Sequence, residues 1–265
     1  MSKTKILYED NDLLVCHKPA GIATQTARIG QADMASEMEN YLARNLPGSN
    51  RRDSLVRPHI HVVHRLDQPV EGILVFAKQA QAAAALSAQA AGEGMEKEYL
   101  ALACDLRGEG ERKQSGILTD YLIKDGKTNI SHAVPSEVKG AKEARLRYDI
   151  LREEFPEVLF PHKKDGDGFS LEDRTEKGRL RCEVIKIRLY TGRHHQIRVQ
   201  LANAGMPLLG DRKYADHAAV VLSENLGIRE IALCAYRLSF CHPRTGERLH
   251  FEIMPEGAAF RGISF

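Results

Sequence analysis

A short polar segment in the first third of the chain ends in an acidic residue. It covers residues 64–67 (HRLD) and stands just before the apolar run 73–77. An acidic side chain held by a buried strand on one side and exposed in a loop on the other can act as a nucleophile or a general base. Asp67 is therefore a candidate catalytic carboxylate, although an Asp that only caps a turn would show the same pattern.

A second polar turn covers residues 191–198 (TGRHHQIR). A glycine permits a tight turn there, and the pattern that follows predicts a helix over 194–204. Basic side chains at a helix start, where backbone amides add a partial positive field, can hold the carboxylate of Asp67 or a phosphate. A basic helix start on an ordinary surface is the alternative.

Three histidines close to the acidic segment, His59, His61 and His64, could bind a metal, as in a His-dependent metal hydrolase. If His59 and His61 lie on one strand they share a face, and His64 then points the opposite way, which disfavours the metal site. No two cysteines have C-x-x-C spacing, so we expect free thiols in a reducing compartment. We expect neither a metal nor a cofactor.

The chain has a small net charge, but its basic residues are concentrated in two segments. The 265 residues carry a net charge of only +2, which does not indicate a general nucleic-acid binder. Two segments are nevertheless basic, which is typical of a face that docks a polyanion and equally typical of ordinary solvated surface, so charge alone leaves both interpretations open. Their basic residues are Arg51, Arg52, Arg57 and Arg65 in the first, and Arg188, Arg193, Arg198, Arg212 and Lys213 in the second.

The apolar runs are far short of the roughly 18 residues that a membrane span needs. The first residues do not resemble a secretory signal, so we expect a soluble cytoplasmic protein. We also expect a monomer that needs no obligate protein partner and does not act at a membrane.

The periodicity of apolar residues predicts many strands and few helices. The predicted strands cover 6–9, 13–18, 73–77, 96–104, 141–151, 181–189, 231–240 and 248–253, and the predicted helices cover 34–46, 79–91 and 194–204. This order predicts the α+β class, with a mixed, mostly antiparallel central sheet and flanking helices. We expect a single domain over 1–265, with a mobile insertion around 163–178, where glycines and charges dominate.

Four segments, in this order, together resemble the RluA family of RNA pseudouridine synthases. They are the opening hairpin 6–21, residues 64–67 with 72–78, residues 97–102 (KEYLAL), and residues 191–201 with 209–211. The resemblance runs from about residue 6 to residue 254, without an S4-like RNA-binding module before the hairpin. The chain departs from the family pattern at Val70-Glu71, where Thr-Ser is usual, and at His17, where Asn is usual.

The resemblance implies the pseudouridine synthase fold and the isomerisation of uridine in ribosomal or transfer RNA, without cofactor or metal. It implies that Asp67 is the catalytic carboxylate, attacking C1′ of the ribose or abstracting a sugar proton. Arg193 would hold both oxygens of that carboxylate. Tyr99 would stack on the uracil and place its hydroxyl near C5.

The resemblance also implies residues that bind the substrate. Ile197 would pack against the far side of the uracil, and Arg65 would fill the vacated stack or hold a phosphate. His64, next to Arg65, would also bind the substrate. Three further cations would follow the RNA backbone: Arg198, Arg212 and Lys213. A non-catalytic RNA-binding protein on the same fold and the metal hydrolase remain the alternatives.

Overall fold

The computed structural model describes residues 4–26, 30–45, 58–108, 111–156, 174–175, 178–263 and 265. These residues fall into two compact units. The first comprises Met1–Glu96 and Arg237–Ile253, and the second comprises Lys97–Tyr236 and Met254–Phe265. Several predictions fall outside the described residues: the basic residues Arg51, Arg52 and Arg57, the last residue of the helix 34–46, and positions 163–173 and 176–177 of the expected insertion.

Strands dominate the described residues. They are β1 Lys5–Glu9, β2 Leu13–Lys18, β3 His61–Val62, β4 Glu71–Ala77, β5 Glu96–Asp105, β6 Ser115–Asp125, β7 Ile130–Val134, β8 Lys142–Glu154, β9 Arg174–Thr175, β10 Gly178–Arg179, β11 Arg181–Leu189, β12 Leu233–Cys241 and β13 Arg248–Glu252. The helices are α1 Met34–Asn45, α2 Ala80–Ala91, α3 Gln196–Asn203 and α4 His217–Asn225, with a 3₁₀ turn at Ala258–Phe260.

The sheet is mixed and largely antiparallel, which confirms the predicted α+β class. In the first unit the strand order is β1-β2-β4-β12, with β3 paired to β4 and β13 paired to β12. In the second unit the order is β12-β5-β11-β8-β6-β7. Strand β12 belongs to both orders because it begins in the second unit and ends in the first. Strands β9 and β10 form a separate antiparallel pair.

Strand β4 lies at the centre of the core of the first unit. All seven of its residues are buried, and the unbroken apolar run 73–77 within it is typical of a strand covered on both faces. Ile73 and Val75 pack with Leu13 of β2, Leu86 of α2 and Phe240 of β12. This packing makes β4 a rigid support for the polar segment that precedes it.

The described helices are short. None of those within the described residues has both the length and the apolar character that crossing a membrane requires.

Candidate active site

The segment that carries Asp67 is a tight turn. The N–H of Val70 donates to the carbonyl of Asp67 over 3.0 Å, which closes the turn around Pro69. Leu66 and Val70 are buried, whereas Asp67 is partly exposed. The apolar side chains thus anchor the turn on both sides and leave the carboxylate accessible.

Residues 21–24 hold the turn through its backbone. Thr24 Oγ1 accepts from the N–H of Leu66 (3.1 Å) and donates to its carbonyl (2.9 Å). On the other side of Asp67, the N–H of Gly21 donates to the carbonyl of Gln68 (2.9 Å), and Gln68 Nε2 donates back to the carbonyl of Gly21 (3.0 Å). Both neighbours of Asp67 in the chain are therefore fixed, which restricts where its carboxylate can lie.

Lys18 is a positioning residue that the sequence analysis missed. Its side chain is fully buried, and its ammonium donates to the carbonyls of Pro19 (2.9 Å), Ile22 (2.7 Å) and Gln68 (3.1 Å). Burial lowers the pKa of Lys18 to about 8, although the carboxylates of Asp67 and Glu71 act in the opposite direction. The signal in the sequence is a lysine at the end of a strand that begins with four apolar residues.

Two departures from the family pattern face each other in the structure. His17 Nε2 lies 3.6 Å from Glu71 Oε2, and both side chains are buried. His17 is on β2 and Glu71 begins β4, and these two strands pair with each other. The two unusual residues thus form one buried pair immediately beside Lys18.

Arg65 and His64 flank the acidic turn on its N-terminal side. Arg65 is exposed and its Nη2 donates to Gln25 Oε1 over 3.1 Å, so its side chain lies at the surface of the first unit. Binding of the substrate by Arg65 stays a prediction. His64 Nε2 accepts from the N–H of Val75 over 3.2 Å. That bond ties His64 to β4 and gives it a structural role in addition to the predicted one.

Tyr99 lies on β5 of the second unit and is buried. Its neighbour in the pairing with β11 is Ile187, and Lys97 pairs with Leu189 nearer the end of that strand. Successive residues of a strand alternate between its faces, so Lys97 and Tyr99 share one face. Stacking of Tyr99 on a uracil stays a prediction.

The turn after β11 is organised by Gln196. Its Oε1 accepts from the N–H of Arg193 (2.9 Å) and from the hydroxyl of Thr191 (2.8 Å). Arg193 is exposed, and its Nε donates to the carbonyl of Glu143 over 2.7 Å. One edge of the guanidinium is thereby anchored on β8, which directs the side chain. Sequence reasoning did not single out Gln196.

His195 does not add positive charge to the start of α3. Its backbone has the left-handed conformation (φ 53°), its ring stacks on that of His194, and its Nδ1 lies 2.7 Å from the hydroxyl of Tyr214. Burial, with the positive charge of Arg198, lowers the pKa of His195 to about 3. The imidazole of His195 is therefore neutral at neutral pH, and Arg193 is a cation of this turn that does not depend on pH.

Arg198 is buried in the second unit. Its guanidinium donates through Nε and Nη2 to the two carboxylate oxygens of Asp211 (2.7 and 2.8 Å). The contact of Arg198 with the RNA backbone stays a prediction, which this burial disfavours. A buried, bidentate pair of this kind fixes α3 to the following loop instead of meeting a solvent-borne phosphate. The partner of Arg198 is thirteen residues away in the chain, where helix periodicity could not identify it.

The remaining predicted contacts lie on the second unit in different environments. Ile197 is buried, whereas Arg212 and Lys213 are exposed. Arg212 Nη2 is 3.6 Å from Glu224, and Lys213 Nζ donates to the carbonyl of Asn129 over 3.3 Å. Both cations are thus accessible, and their contact with RNA stays a prediction.

The loop of the third motif contains a glycine that no other residue could replace without strain. Gly210 has φ +76°, and a Cβ at this position would clash with the backbone carbonyl of Glu230. Its N–H donates to Ser223 Oγ over 2.9 Å. The glycine therefore allows the chain to present Asp211 to Arg198.

The predicted histidines do not gather as metal ligands. His59 Nδ1 lies 2.8 Å from Glu39 Oε1, the rings of His59 and His61 meet edge to face, and His64 is tied to β4. His59 and His61 thus contact each other, and His64 is held by the backbone of β4. The three rings therefore do not surround one metal position. The metal-hydrolase alternative therefore lacks its ligand set within the described residues.

One other group of three potential ligands occurs within the described residues: Asp10, Asp12 and His242. His242 Nδ1 accepts from the backbone N–H groups of Arg244 and Thr245, so Nε2 carries the ring proton and donates to Asp10 over 2.7 Å. Arg244 pairs with Asp12 over 2.6 Å. An ion-pair network accounts for this group.

The predicted catalytic residues are distributed over both units. Asp67 belongs to the first unit, and Tyr99 and Arg193 belong to the second. The pairing of Asp67 with Arg193 stays a prediction.

A sequence model of the family described as RNA pseudouridylate synthase matches residues 12–203. The chain is 29% identical over 245 residues to tRNA pseudouridine synthase C of Haemophilus ducreyi, across 92% of this chain and 88% of that protein. It is 31% identical over 258 residues to ribosomal large subunit pseudouridine synthase C of Escherichia coli, across 95% of this chain and 67% of that protein.

The fold also has solved counterparts. The structure of human RNA pseudouridylate synthase domain containing 4 matches with a TM-score of 0.65 and 20% sequence identity, over 95% of this chain and 89% of that one. The structure of human RNA pseudouridylate synthase domain containing 1 also matches with a TM-score of 0.65, at 18% identity, over 96% of this chain and 84% of that one. These likenesses show that the fold is the one that the motifs implied.

Proposed function

We propose that this chain, which belongs to the RNA pseudouridylate synthase family, isomerises uridine within RNA to pseudouridine. The family match over residues 12–203 confirms the resemblance to the RluA enzymes. In this reaction the bond between N1 and C1′ breaks, the detached uracil rotates, and C5 bonds to C1′. The proton on C5 is lost and N1 gains one, so the product is an isomer of the substrate.

The substrate that we propose is a uridine in structured ribosomal or transfer RNA. Relatives named for each class of RNA support this range. A uridine inside a folded RNA must first leave its stack, which costs a few kcal/mol and costs less in a loop. Exposed Arg65, next to the acidic turn, is proposed to take the space that the base vacates or to hold a phosphate.

Three residues are proposed to carry the chemistry. Asp67 acts on the ribose of the target nucleotide, Tyr99 offers its ring to the uracil and its hydroxyl to C5, and Arg193 stabilises anionic oxygen with a planar guanidinium. Ile197 is proposed to cover the far face of the base. None of these roles requires a cofactor or a metal.

The observation that carries the catalytic assignment is the Asp67 turn. Its two neighbours in the chain are fixed by hydrogen bonds to Thr24 and Gly21, while Asp67 is partly exposed. A group held in this way keeps its geometry when substrate arrives, and such positioning accounts for much of the rate of an enzyme. A turn with only a structural role would not need to leave its acid accessible.

The experiment that tests the proposal is release of tritium from RNA whose uridines carry tritium on C5. The wild type should release tritium, and Asp67→Asn and Asp67→Ala should abolish release while RNA binding persists. Asp125→Asn, at a partly exposed carboxylate of the second unit, is the matched control and should react at the wild-type rate. Full turnover by the Asp67 variants would overturn the catalytic assignment, and RNA binding by a wild type that releases no tritium would favour a non-catalytic RNA-binding protein.

We also propose that the protein acts in the cytoplasm as a monomer, with RNA as its one obligate partner. Bacterial relatives named for tRNA and ribosomal RNA support this setting. Light scattering after gel filtration should give the mass of one chain. A dimer mass would contradict the proposal.

A further inference from the structure

Three exposed side chains of the second unit form a stack. The guanidinium carbon of Arg145 lies 5.1 Å from the ring centroid of Tyr190, and that of Arg188 lies 5.9 Å from the same centroid. All three residues are exposed, and Tyr190 is 38% exposed despite its large ring. We call Arg145, Tyr190 and Arg188 the arginine–tyrosine platform.

The platform stands on one face of the strand pair β8–β11. Along β8, the residues next to Arg145 in the chain, Ala144 and Leu146, are buried. Arg188 pairs with Arg147 across the two strands, and Tyr190 is two residues beyond Arg188. Because side chains of a strand alternate between faces, these residues emerge together on the solvent side.

Backbone hydrogen bonds hold the platform in place. The N–H of Tyr190 donates to the carbonyl of Arg145 over 3.1 Å, and the N–H of Arg145 donates to Thr191 Oγ1 over 2.8 Å. The same Thr191 hydroxyl donates to Gln196, which organises the Arg193 turn. A surface fixed before binding loses less conformational entropy when a ligand arrives.

The platform also lies beside a residue of the proposed active site. Arg193 Nε contacts the carbonyl of Glu143, which is two residues before Arg145 on β8. Two residues of a strand span roughly 7 Å. A chain molecule that reaches Arg193 would therefore meet the platform a short distance away.

We propose that the arginine–tyrosine platform binds nucleotides that flank the target uridine in an unpaired segment of the RNA. This inference rests on the proposed function and adds a binding surface to it. Unpaired bases stack on aromatic rings and on guanidinium planes, and both are present in this stack. The guanidinium charges can pair with the phosphates of the same nucleotides.

The chain offers a matched control on the same face. Arg147 is exposed on β8 like Arg145, but it donates through Nε and Nη2 to Asp149 (3.0 and 2.8 Å). Loss of either arginine removes the same charge from the same strand. Of Arg145 and Arg147, Arg145 is the one whose guanidinium stacks on Tyr190, so the two variants separate stacking on the platform from the general effect of charge.

The test is the affinity of the full chain for a short, fluorescently labelled single-stranded RNA with one central uridine, measured by anisotropy at several salt concentrations. Tyr190→Leu should raise Kd roughly fivefold or more, because a stacked base loses its aromatic partner, and Tyr190→Phe should bind like the wild type. Arg145→Gln should weaken binding and reduce the slope of log K against log salt by about 0.7. Arg147→Gln should change neither quantity by more than about the scatter of repeated measurements.

The outcomes distinguish this inference from the proposed function. Wild-type affinity in Tyr190→Leu, or an equal loss in Arg147→Gln and Arg145→Gln, would overturn the platform. Binding of an acidic peptide with the same dependence on Tyr190 would overturn the assignment to RNA. If the wild type binds RNA through Tyr190 but releases no tritium, the proposed function is contradicted and the RNA-binding role of the platform is supported. Thermal unfolding of each variant confirms that it is folded.

Discussion

The ammonium of Lys18 donates to the backbone carbonyl of Gln68, the residue directly after Asp67, over 3.1 Å. The same carbonyl accepts from the N–H of Gly21, so one donor from the end of β2 and one from the loop after it converge on the turn that carries the carboxylate. Lys18 is the last residue of β2, which is paired along its length to β4. The position of Asp67 thus depends on the pairing of two buried strands rather than on the turn alone.

Lys18→Met should lower the single-turnover rate of tritium release on the order of a hundredfold, because small displacements of a catalytic group cost about that much. Methionine fills a similar apolar volume but donates no hydrogen bond, so the turn loses its tie at Gln68. RNA affinity should stay unchanged, which separates a positioning role from a general loss of structure. Lys139→Met, at an exposed loop lysine, is the control, and an unaltered rate in Lys18→Met would contradict the positioning role.

The lowered pKa of Lys18 predicts the direction in which the free energy of unfolding changes with pH. Well below pH 8 the lysine is protonated in both the folded and the unfolded chain, so it adds no pH dependence there. Between about pH 8 and its unperturbed pKa of 10.5, the unfolded chain still holds a proton that the folded chain has released. The free energy of unfolding of the wild type should therefore rise relative to that of Lys18→Met, by roughly 3 kcal/mol over the whole window. Urea unfolding of both proteins at pH 7, 8, 9 and 10 checks the sign, and a falling difference would contradict the burial of a charged lysine.

The sequence predicted those elements whose burial is uniform or cleanly alternating. Strand β4 is buried at every position, and its apolar run identified it. Strand β6 was not predicted, because its residues alternate between exposed and half-buried and include Asp120 and Lys124 among the apolar ones. Helix α4 was not predicted either, although Asp216 caps it by accepting from the N–H of Ala219.

Site residues that belong to one contiguous motif could be predicted from the sequence. Residues whose role depends on contacts with distant parts of the chain could not. The motif around Asp67 is contiguous, so it could be found. The neutral state of His195 depends on its burial and on Tyr214, and the role of Lys18 depends on a carbonyl fifty residues away. The facing pair His17 and Glu71 appears as two unrelated departures until the register of β2 and β4 brings them together.

Arg198 and Asp211 form a buried ion pair whose disruption should be costly. The two side chains are 5% and 1% exposed, so Arg198→Met leaves a carboxylate buried without its main partner. The free energy of unfolding should fall by about 3–5 kcal/mol. The double variant Arg198→Met/Asp211→Leu should recover part of the loss, but not all of it, because Lys213 and Tyr214 donate backbone N–H groups to Asp211.

Urea unfolding of the single and double variants measures this coupling. If Arg198 contacted RNA instead, Arg198→Met would change the free energy of unfolding little and would reduce the salt dependence of RNA binding. Such a pattern would reinstate the role that the burial of Arg198 argues against.

Arg193→Lys should lower the single-turnover rate on the order of tenfold to a hundredfold. The guanidinium anchors its Nε on the carbonyl of Glu143 over 2.7 Å while the side chain remains exposed. A lysine has one ammonium on a flexible stem, so it cannot keep that anchor and present a pair of parallel donors at the same time. The backbone N–H of residue 193 would still donate to Gln196, so the turn itself should persist.

Arg237→Lys is the matched control for Arg193→Lys, because Arg237 also donates through two guanidinium nitrogens, to Glu252, but lies on β12 outside the proposed site. Tritium release by this control should match the wild type. Stability should change little in both variants, since each arginine is at least partly exposed. A wild-type rate in Arg193→Lys would show that a point charge is sufficient at this position, and the requirement for a planar donor pair would then have to be abandoned.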